Sequence, residues 1–332
     1  MPKQKIKQFL GSLFKPFSNP ALLVKNRFSL QNSQNLNRPE QHQTNNSQTH
    51  QNQSQQLHEP VLQRFTELSQ EIQELKKNLI QQQIFSKWSL HDGLMTQLAS
   101  TQEPPTNCPL CNQNLKGTSL QVFESHCIFG GGDLLRYQCP HCDVIFGPTK
   151  ILHLSPKALS REYFWHYQAY SEGDSTQLEL RAFYAMKPKR NGLYLNWGAG
   201  RWSNTLQILR AEGWNVLGYD PFSPPSTDTD LYIQDENQLS NHNFDGIFSN
   251  NVLEHLQDPI ADILKMKAIL KDEGSMVHAT PCFEYMYEYT RFHVFFFLGR
   301  SRQLLAEQAA MELKEHYRDG IFMYIMLQKK YS

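Results

Sequence analysis

Two Cys-Pro-x-Cys pairs, Cys108-Pro109-Leu110-Cys111 and Cys139-Pro140-His141-Cys142, are separated by 27 residues. Four thiolates spaced in this way offer a tetrahedral shell to Zn²⁺, and a closed shell leaves no position open for a substrate. The expected role is therefore a structural zinc ribbon, with Gly130, Gly131, Gly132 and Gly147 as turns between short strands. His126, Cys127 and His141 are substitute ligands that the set does not need. A second constellation is Gly198-Ala199-Gly200 followed by Asp220. Glycines let a backbone approach a ligand, a helix N-terminus supplies free N–H groups, and an acid about 20 residues on can hydrogen-bond a ribose diol. His255 and His293 are the candidates for a general base, with Glu254 and Glu284 behind them. The structural alternatives are helix capping for His255 and a buried core imidazole for His293.

The elements that must hold these residues alternate. Leu193 to Leu195 lead as a strand into Asn196-Trp197-Gly198-Ala199-Gly200, a helix follows over about 203–212, and an apolar run from Val216 to Tyr219 ends on Asp220. After a Pro/Ser loop come a short strand at 231–234, Asp235-Glu236, and a strand entering Ser249-Asn250-Asn251. A helix to about Leu270, a strand over 275–280, a helix over 301–313 and a last strand over 321–327 complete the pattern, with Lys329 and Lys330 as a solvated end. Such alternation predicts an α/β fold whose parallel sheet is covered on both faces, with the ligand at the carboxyl ends of the strands. Leu178, Arg181, Ala182 and Ala185 share a helical spacing ahead of the first strand, and the Phe295 to Phe297 run reads as core.

The first hundred residues differ. Residues 1–28 combine Lys3, Lys5, Lys7, Lys15, Lys25 and Arg27 with Ile6, Phe9, Leu10, Leu13, Phe14 and Phe17. They read as a solvated arm or as a basic amphipathic helix with weak membrane-surface contact. Of the 27 residues from 31 to 57, fifteen are Asn or Gln, too polar a stretch to offset the entropy of ordering, so a disordered linker is expected. Val61, Phe65, Leu68, Ile72, Leu75 and Leu79 then form a heptad seam, suited either to self-association as a coiled coil over 61–79 or to docking as a single amphipathic helix. The expected division is residues 1–57 as arm and linker, 58–100 as helical segment, 104–150 as zinc ribbon and 151–332 as cofactor domain. Lys plus Arg equals Asp plus Glu, and this zero net charge argues against nucleic acid as the main partner. No apolar stretch has the length of a membrane span, and no signal-peptide pattern opens the chain, so the expected location is the cytoplasm, with the membrane periphery as the alternative.

Together the glycine turn, Asp220 and the run Phe244-Asp245-Gly246-Ile247-Phe248-Ser249-Asn250-Asn251-Val252-Leu253-Glu254-His255-Leu256-Gln257-Asp258-Pro259 resemble class I S-adenosylmethionine-dependent methyltransferases over about residues 175–328. The resemblance implies a Rossmann-like, seven-stranded, doubly wound sheet. It places Gly198, Ala199 and Gly200 against the methionine part of the cofactor, Asp220 on the ribose, Asp235 and Glu236 toward the adenine amine, and Asn250 beside the bound cofactor. Asn196 stands where the family usually has an acid, and Trp202 where it has a third glycine. A zinc ribbon ahead of this fold also resembles the arrangement of sugar methyltransferases, which implies a small-molecule acceptor such as a sugar or glycan precursor. Two alternatives stay open: an RNA methyltransferase, and a scaffold protein with a degenerate cofactor site.

Overall fold

The computed structural model of the chain describes residues 47–97, 105–200, 202–222, 231–233 and 235–330, with side chains described from residue 60 onward. The basic arm, the linker up to residue 46 and the loop of 223–230 lie outside the described residues. The described residues divide into two units, one ending at Leu79 and one beginning at Ile80. In the first, helix α1 (Ser47–Gln97) already begins inside the stretch expected to be linker, and it carries the heptad seam with exposures from 41% at Leu68 to 70% at Phe65. No helix among the described residues is long and apolar enough to cross a membrane.

The second unit contains the end of α1, the two cysteine pairs and the α/β part. Strands β1 (Gln121–His126), β2 (Asp133–Gln138) and β3 (Ile145–Phe146) form an antiparallel meander between and after the cysteine pairs. Three helices follow: α2 (Thr149–Leu152), α3 (Pro156–Ala169) and α4 (Thr176–Ala185). Ser155 caps α3 through its hydroxyl, which accepts from the Ala158 N–H at 3.3 Å, and Pro156 sits at the first helical position.

The large sheet is built from β4 (Leu193–Trp197), β5 (Asn215–Tyr219), β6 (Tyr232–Ile233), β7 (Phe244–Asn250), β8 (Leu270–Ala279), β10 (Met311–Asp319) and β11 (Phe322–Lys329). Its order is β10-β11-β8-β7-β4-β5-β6. The pairs β4·β5, β5·β6, β4·β7 and β7·β8 are parallel, whereas β8·β11 and β10·β11 are antiparallel. From β4 the chain winds first toward β5 and β6 and then back to β7, so the winding reverses at the end of β4, where open α/β sheets bind ligands. Helices α5 (Thr205–Ala211), α6 (Glu236–Leu239), α7 (Pro259–Ala268) and α8 (Ser301–Gln308) complete the fold. Alternation along the strands explains the two covered faces. Tyr194 and Val277 enter one core with Phe183, Leu206 and Trp214, while Leu195 and Met276 enter the other with Ile263, Met266 and Leu305.

Three boundaries differ from expectation. β8 starts at Leu270 rather than 275, because its exposed first residues, Lys271 to Glu273, give no alternating signal. The helix expected to reach residue 313 stops at Gln308, Ala310 turns left-handed at φ 50°, and Met311 opens β10. The local run Ala-Ala-Met-Glu-Leu-Lys favours helix, and pairing with β11 overrides it. Lys329, read as a solvated end, belongs to β11 opposite Met311.

The cysteine meander is not a separate lobe. The short strand β9 (Phe295–Phe296) pairs with β3, joining the small sheet to the α/β part, and Phe295, Phe296 and Phe297 are all fully buried. Cys108, Cys139 and Val144 share one hydrophobic core with Leu195, Ile247 and Leu305.

Candidate active site and metal centre

The turn after β4 closes onto β5. Tyr219 O accepts from Gly198 N at 2.7 Å and from Ala199 N at 3.1 Å, and Asp220 Oδ2 accepts from Gly200 N at 2.9 Å. Gly198 (φ 73°) and Gly200 (φ 55°) both have left-handed backbones. A Cβ on Gly198 would stand 2.5 Å from Val252 Cγ2, so the turns after β4 and β7 touch there. One on Gly200 would meet nothing closer than 3.9 Å, so the surface at Gly200 is open to a ligand. The turn thus offers bare backbone rather than the free N–H groups expected of it. The start of α5 is also engaged, since Asn204 N donates to Thr176 Oγ1 at 2.9 Å. Asp220 accepts from Phe222 N at 2.8 Å as well. Asn250 ends β7, and its side-chain Nδ2 is buried without a hydrogen-bond partner among the described residues. A buried, unpaired donor at the end of β7, the strand paired with β4, fits a ligand with acceptor atoms lying across the ends of these strands. The residues present therefore fit S-adenosylmethionine. Of the two acids expected near the adenine, Asp235 caps α6 through Asn237 N at 2.9 Å, and Glu236 is turned to Lys265 at 3.0 Å.

Asn196 is not an isolated departure. Its Nδ2 donates to Glu179 Oε2 at 2.8 Å, and the same oxygen accepts from Ser203 Oγ at 2.9 Å, while Ser175 Oγ donates to Oε1. Burial pushes the Glu179 carboxyl up, and these donors pull against that shift. An acid from α4 thus stands at the position where the strand carries an amide. Glu179 was missed by sequence reasoning. The available signal was an acid on the helix face of Thr176, Ala182 and Phe183, the face that is buried, whereas Arg181 points outward to Asp319.

A cleft wall lies next to this cradle. Tyr163 of α3 stacks on Phe292 with ring centroids 4.3 Å apart and lies 4.8 Å from Phe222, and Tyr167 is 6.1 Å from Trp202. Glu172 is accessible to solvent, yet the protein around it and the charge of Asp220 push its carboxyl up against a hydrogen bond from Tyr167. His255 lies in a 3-10 turn (Leu253–His255), with Nδ1 3.2 Å from Tyr163 Oη and its ring centroid 4.9 Å from that of His293. Desolvation lowers His255 to about 4 and His293 well below its ordinary value, so both rings are neutral at pH 7. The structure therefore brings both candidate bases together. Glu254 is fully buried, and desolvation raises it to about 7. Glu284 is elsewhere engaged, in an ion pair with Arg318.

The two cysteine pairs converge. Cys108 Sγ is 3.8 Å from Cys142 Sγ, and Cys111 Sγ is 3.6 Å from Cys139 Sγ. Four sulfurs at about 2.3 Å from a tetrahedral zinc would stand about 3.8 Å apart, so the donor set fits that ion. Each knuckle repeats the same backbone pattern. Cys108 N donates to Gln113 O and Asn112 N to Cys108 O; Cys139 N donates to Val144 O and Asp143 N to Cys139 O. Asn112 and Asp143 take the left-handed conformation that these residue types tolerate. The hydrogen bond from Cys142 holds Cys108 down to about 5. The same contact pushes Cys142 up, and burial raises Cys111 to about 11. Such closely packed thiols do not ionise together without a cation.

Arg136 of β2 ties this part to the cleft. Fully buried, it donates to Thr290 O at 2.9 Å, to His293 O at 3.2 Å from Nε and 3.1 Å from Nη2, and to Ser125 Oγ at 3.0 Å. A neighbouring hub is Glu162 of α3, which accepts from Trp88 Nε1 at 3.1 Å, pairs with Lys87, and lies 3.4 Å from Arg291 Nε.

Residues 164–324 match the family model for a methyltransferase domain. That match identifies the α/β part of the chain as a methyltransferase domain. Solved structures with a similar fold include CalO1, a methyltransferase in calicheamicin biosynthesis bound to S-adenosylhomocysteine. It is 11% identical, with a TM-score of 0.38 over 53% of this chain and 59% of that one. The O-methyltransferase NcsB1 from neocarzinostatin biosynthesis, in complex with S-adenosylhomocysteine and 1,4-dihydroxy-2-naphthoic acid, is 14% identical, with a TM-score of 0.38 over 52% and 58%. The 1,6-didemethyltoxoflavin-N1-methyltransferase of Burkholderia thailandensis is 15% identical, with a TM-score of 0.45 over 63% and 100%. The chain thus spans less than two thirds of the length of the first two. No curated protein matches the sequence.

Proposed function

We propose that this chain methylates a hydroxyl of a small acceptor, a sugar or glycan precursor, using S-adenosylmethionine held at the carboxyl ends of β4, β5 and β7. The observation that carries this reading is the unpaired Asn250 amide at the carboxyl end of β7, the strand paired with β4, whose own end carries the open Gly200 surface. When bound, the cofactor supplies an electrophilic methyl group. Asp220 orients the ribose, and Asn250 donates to the ligand. His255 serves as base: with Nδ1–H donated to Tyr163 Oη, its Nε2 keeps the lone pair that takes the acceptor's proton. The aromatic wall of Tyr163, Tyr167 and Phe222, with Glu172 beside it, suits the alternating apolar and polar faces of a sugar ring. Four thiols in one cluster, none of them in a disulfide, support a structural Zn²⁺ and a cytoplasmic enzyme.

Calorimetry with S-adenosylmethionine tests the cofactor site. Measurable heat and a thermal shift are expected; their absence would point to the scaffold reading. Assays offering sugar nucleotides and RNA side by side test the acceptor, with turnover expected only on the former. His255→Ala should lower kcat by about 100-fold while leaving cofactor affinity within a few-fold.

A further inference from the structure

We propose that Glu254, Cys282 and His293 form a second metal site, for a divalent ion of the zinc type, at the carboxyl end of the sheet. Glu254 follows β7, Cys282 lies in the 3-10 turn after β8 (Pro281–Phe283), and His293 precedes β9, so three separate segments meet here. One ligand atom from each lies within 4.8 Å of the others. Cys282 Sγ is 3.4 Å from His293 Nδ1. A sulfur and a nitrogen at ordinary zinc distances, separated by a tetrahedral angle, stand about 3.5 Å apart.

Glu254 supplies an independent observation. It is 0% exposed, and among the described residues its carboxylate has the Thr280 hydroxyl as a polar neighbour but no cation to balance its charge. Two buried guanidinium groups lie on the segments that build this region, but Arg136 donates to Thr290 and His293 carbonyls and Arg291 pairs with Glu162. No ion pair to Glu254 is formed among the described residues. A buried carboxylate of this kind either stays protonated or meets a cation. Cys282 and His293 supply the remaining ligands for such a cation, and a thiolate in the set selects zinc over magnesium or calcium.

The ligands are held in place by the backbone. Val294 N donates to Glu254 O at 2.8 Å, Phe297 N donates to Cys282 O at 2.8 Å, and Arg136 fixes the carbonyl of His293. The Tyr287 backbone hydrogen-bonds the His293 ring, the kind of outer contact that orients a metal-binding imidazole. Three protein ligands leave a tetrahedral fourth position for water or an acceptor oxygen, unlike the closed four-cysteine shell. The site assigns His293 to the metal and leaves His255 as the base.

The test is metal stoichiometry on the full chain, read without S-adenosylmethionine, so it stands apart from the methyl-transfer reading. Elemental analysis of protein never exposed to chelator should find about two zinc per chain, and about one in Cys282→Ser and in His293→Gln. Cobalt titration of stripped and refolded wild-type protein should show, after the four-thiolate band, a weaker band from a single thiolate. If Cys282→Ser does not fold, His293→Gln and the wild-type titration decide. Saturation of the wild type at about one metal, or about two metals retained by every folded variant, overturns the proposal.

Discussion

Asp220 and Glu179 divide the work of the glycine turn. Asp220 accepts from the backbone N–H groups of Gly200 and Phe222 and so fixes the turn, and Asp220→Ala is expected to weaken S-adenosylmethionine by about 10- to 100-fold, measured by calorimetry. Glu179 acts indirectly. Removing it leaves the buried Asn196 amide and the Ser203 hydroxyl without their acceptor, so Glu179→Ala should cost about 2 kcal/mol of stability by denaturant unfolding. Asp220 and the glycines were legible in the sequence because their spacing is set by local strand-turn-helix geometry. Glu179 was not: it lies only 17 residues from Asn196, but no fixed turn geometry sets that spacing, and packing of α4 on the sheet brings them together.

The elements meet through a few buried charges. Lys150 of α2 donates to Asp92 of α1 at 2.7 Å, and Asp133 N of β2 donates to the same carboxylate at 2.8 Å. Burial alone would raise Asp92, but Lys150 and the Asp133 amide together carry it below its ordinary value of 3.8; burial also lowers Lys150, against the pull of Asp92. The net depression at Asp92 fixes the sign. The pair stabilises the fold above the unfolded-state carboxylate value, and that contribution is lost as pH falls through the lower folded value. Asp92→Asn should therefore cost about 2 kcal/mol at pH 7, with the difference from wild type fading below about pH 4, measured as unfolding free energy across a pH series. Pairing of β3 with β9 makes a further expectation. Zinc removal by chelator should lower the melting temperature by about 10 °C or more and reduce cofactor-site order along with the cysteine meander. The knuckles themselves were readable from four cysteines and two prolines. Their incorporation into the α/β core was not, because Phe295 to Phe297 carry no mark that one of the strands beside them will come from residues 145–146.

At the scale of the whole molecule, α1 exposes Val61, Phe65, Leu68, Ile72, Leu75 and Leu79 along one seam. In a parallel pair with Phe65, Ile72 and Leu79 at a positions, Glu71 at g faces Lys76 at e of the partner, a complementary contact. Sedimentation is expected to give a dimer that Ile72→Lys returns to monomer without loss of the α/β fold. The basic residues 1–28 would add only weak contact with anionic vesicles, since a single short segment gives marginal affinity.

By itself the sequence determined the local devices: two cysteine knuckles, a glycine turn with its acid, alternating strands and helices, and a heptad seam. Each depends on residues close in the chain, where backbone geometry dictates the spacing. Only the tertiary structure decided how they combine. It placed β10 and β11 antiparallel at the sheet edge, set Glu179 beneath Asn196, anchored His293 through Arg136, and gathered Glu254, Cys282 and His293 from three segments. The reason is that burial and long-range pairing act between residues whose separation along the chain carries no signal, so a fully buried carboxylate without a balancing cation becomes visible only once the segments around it have packed.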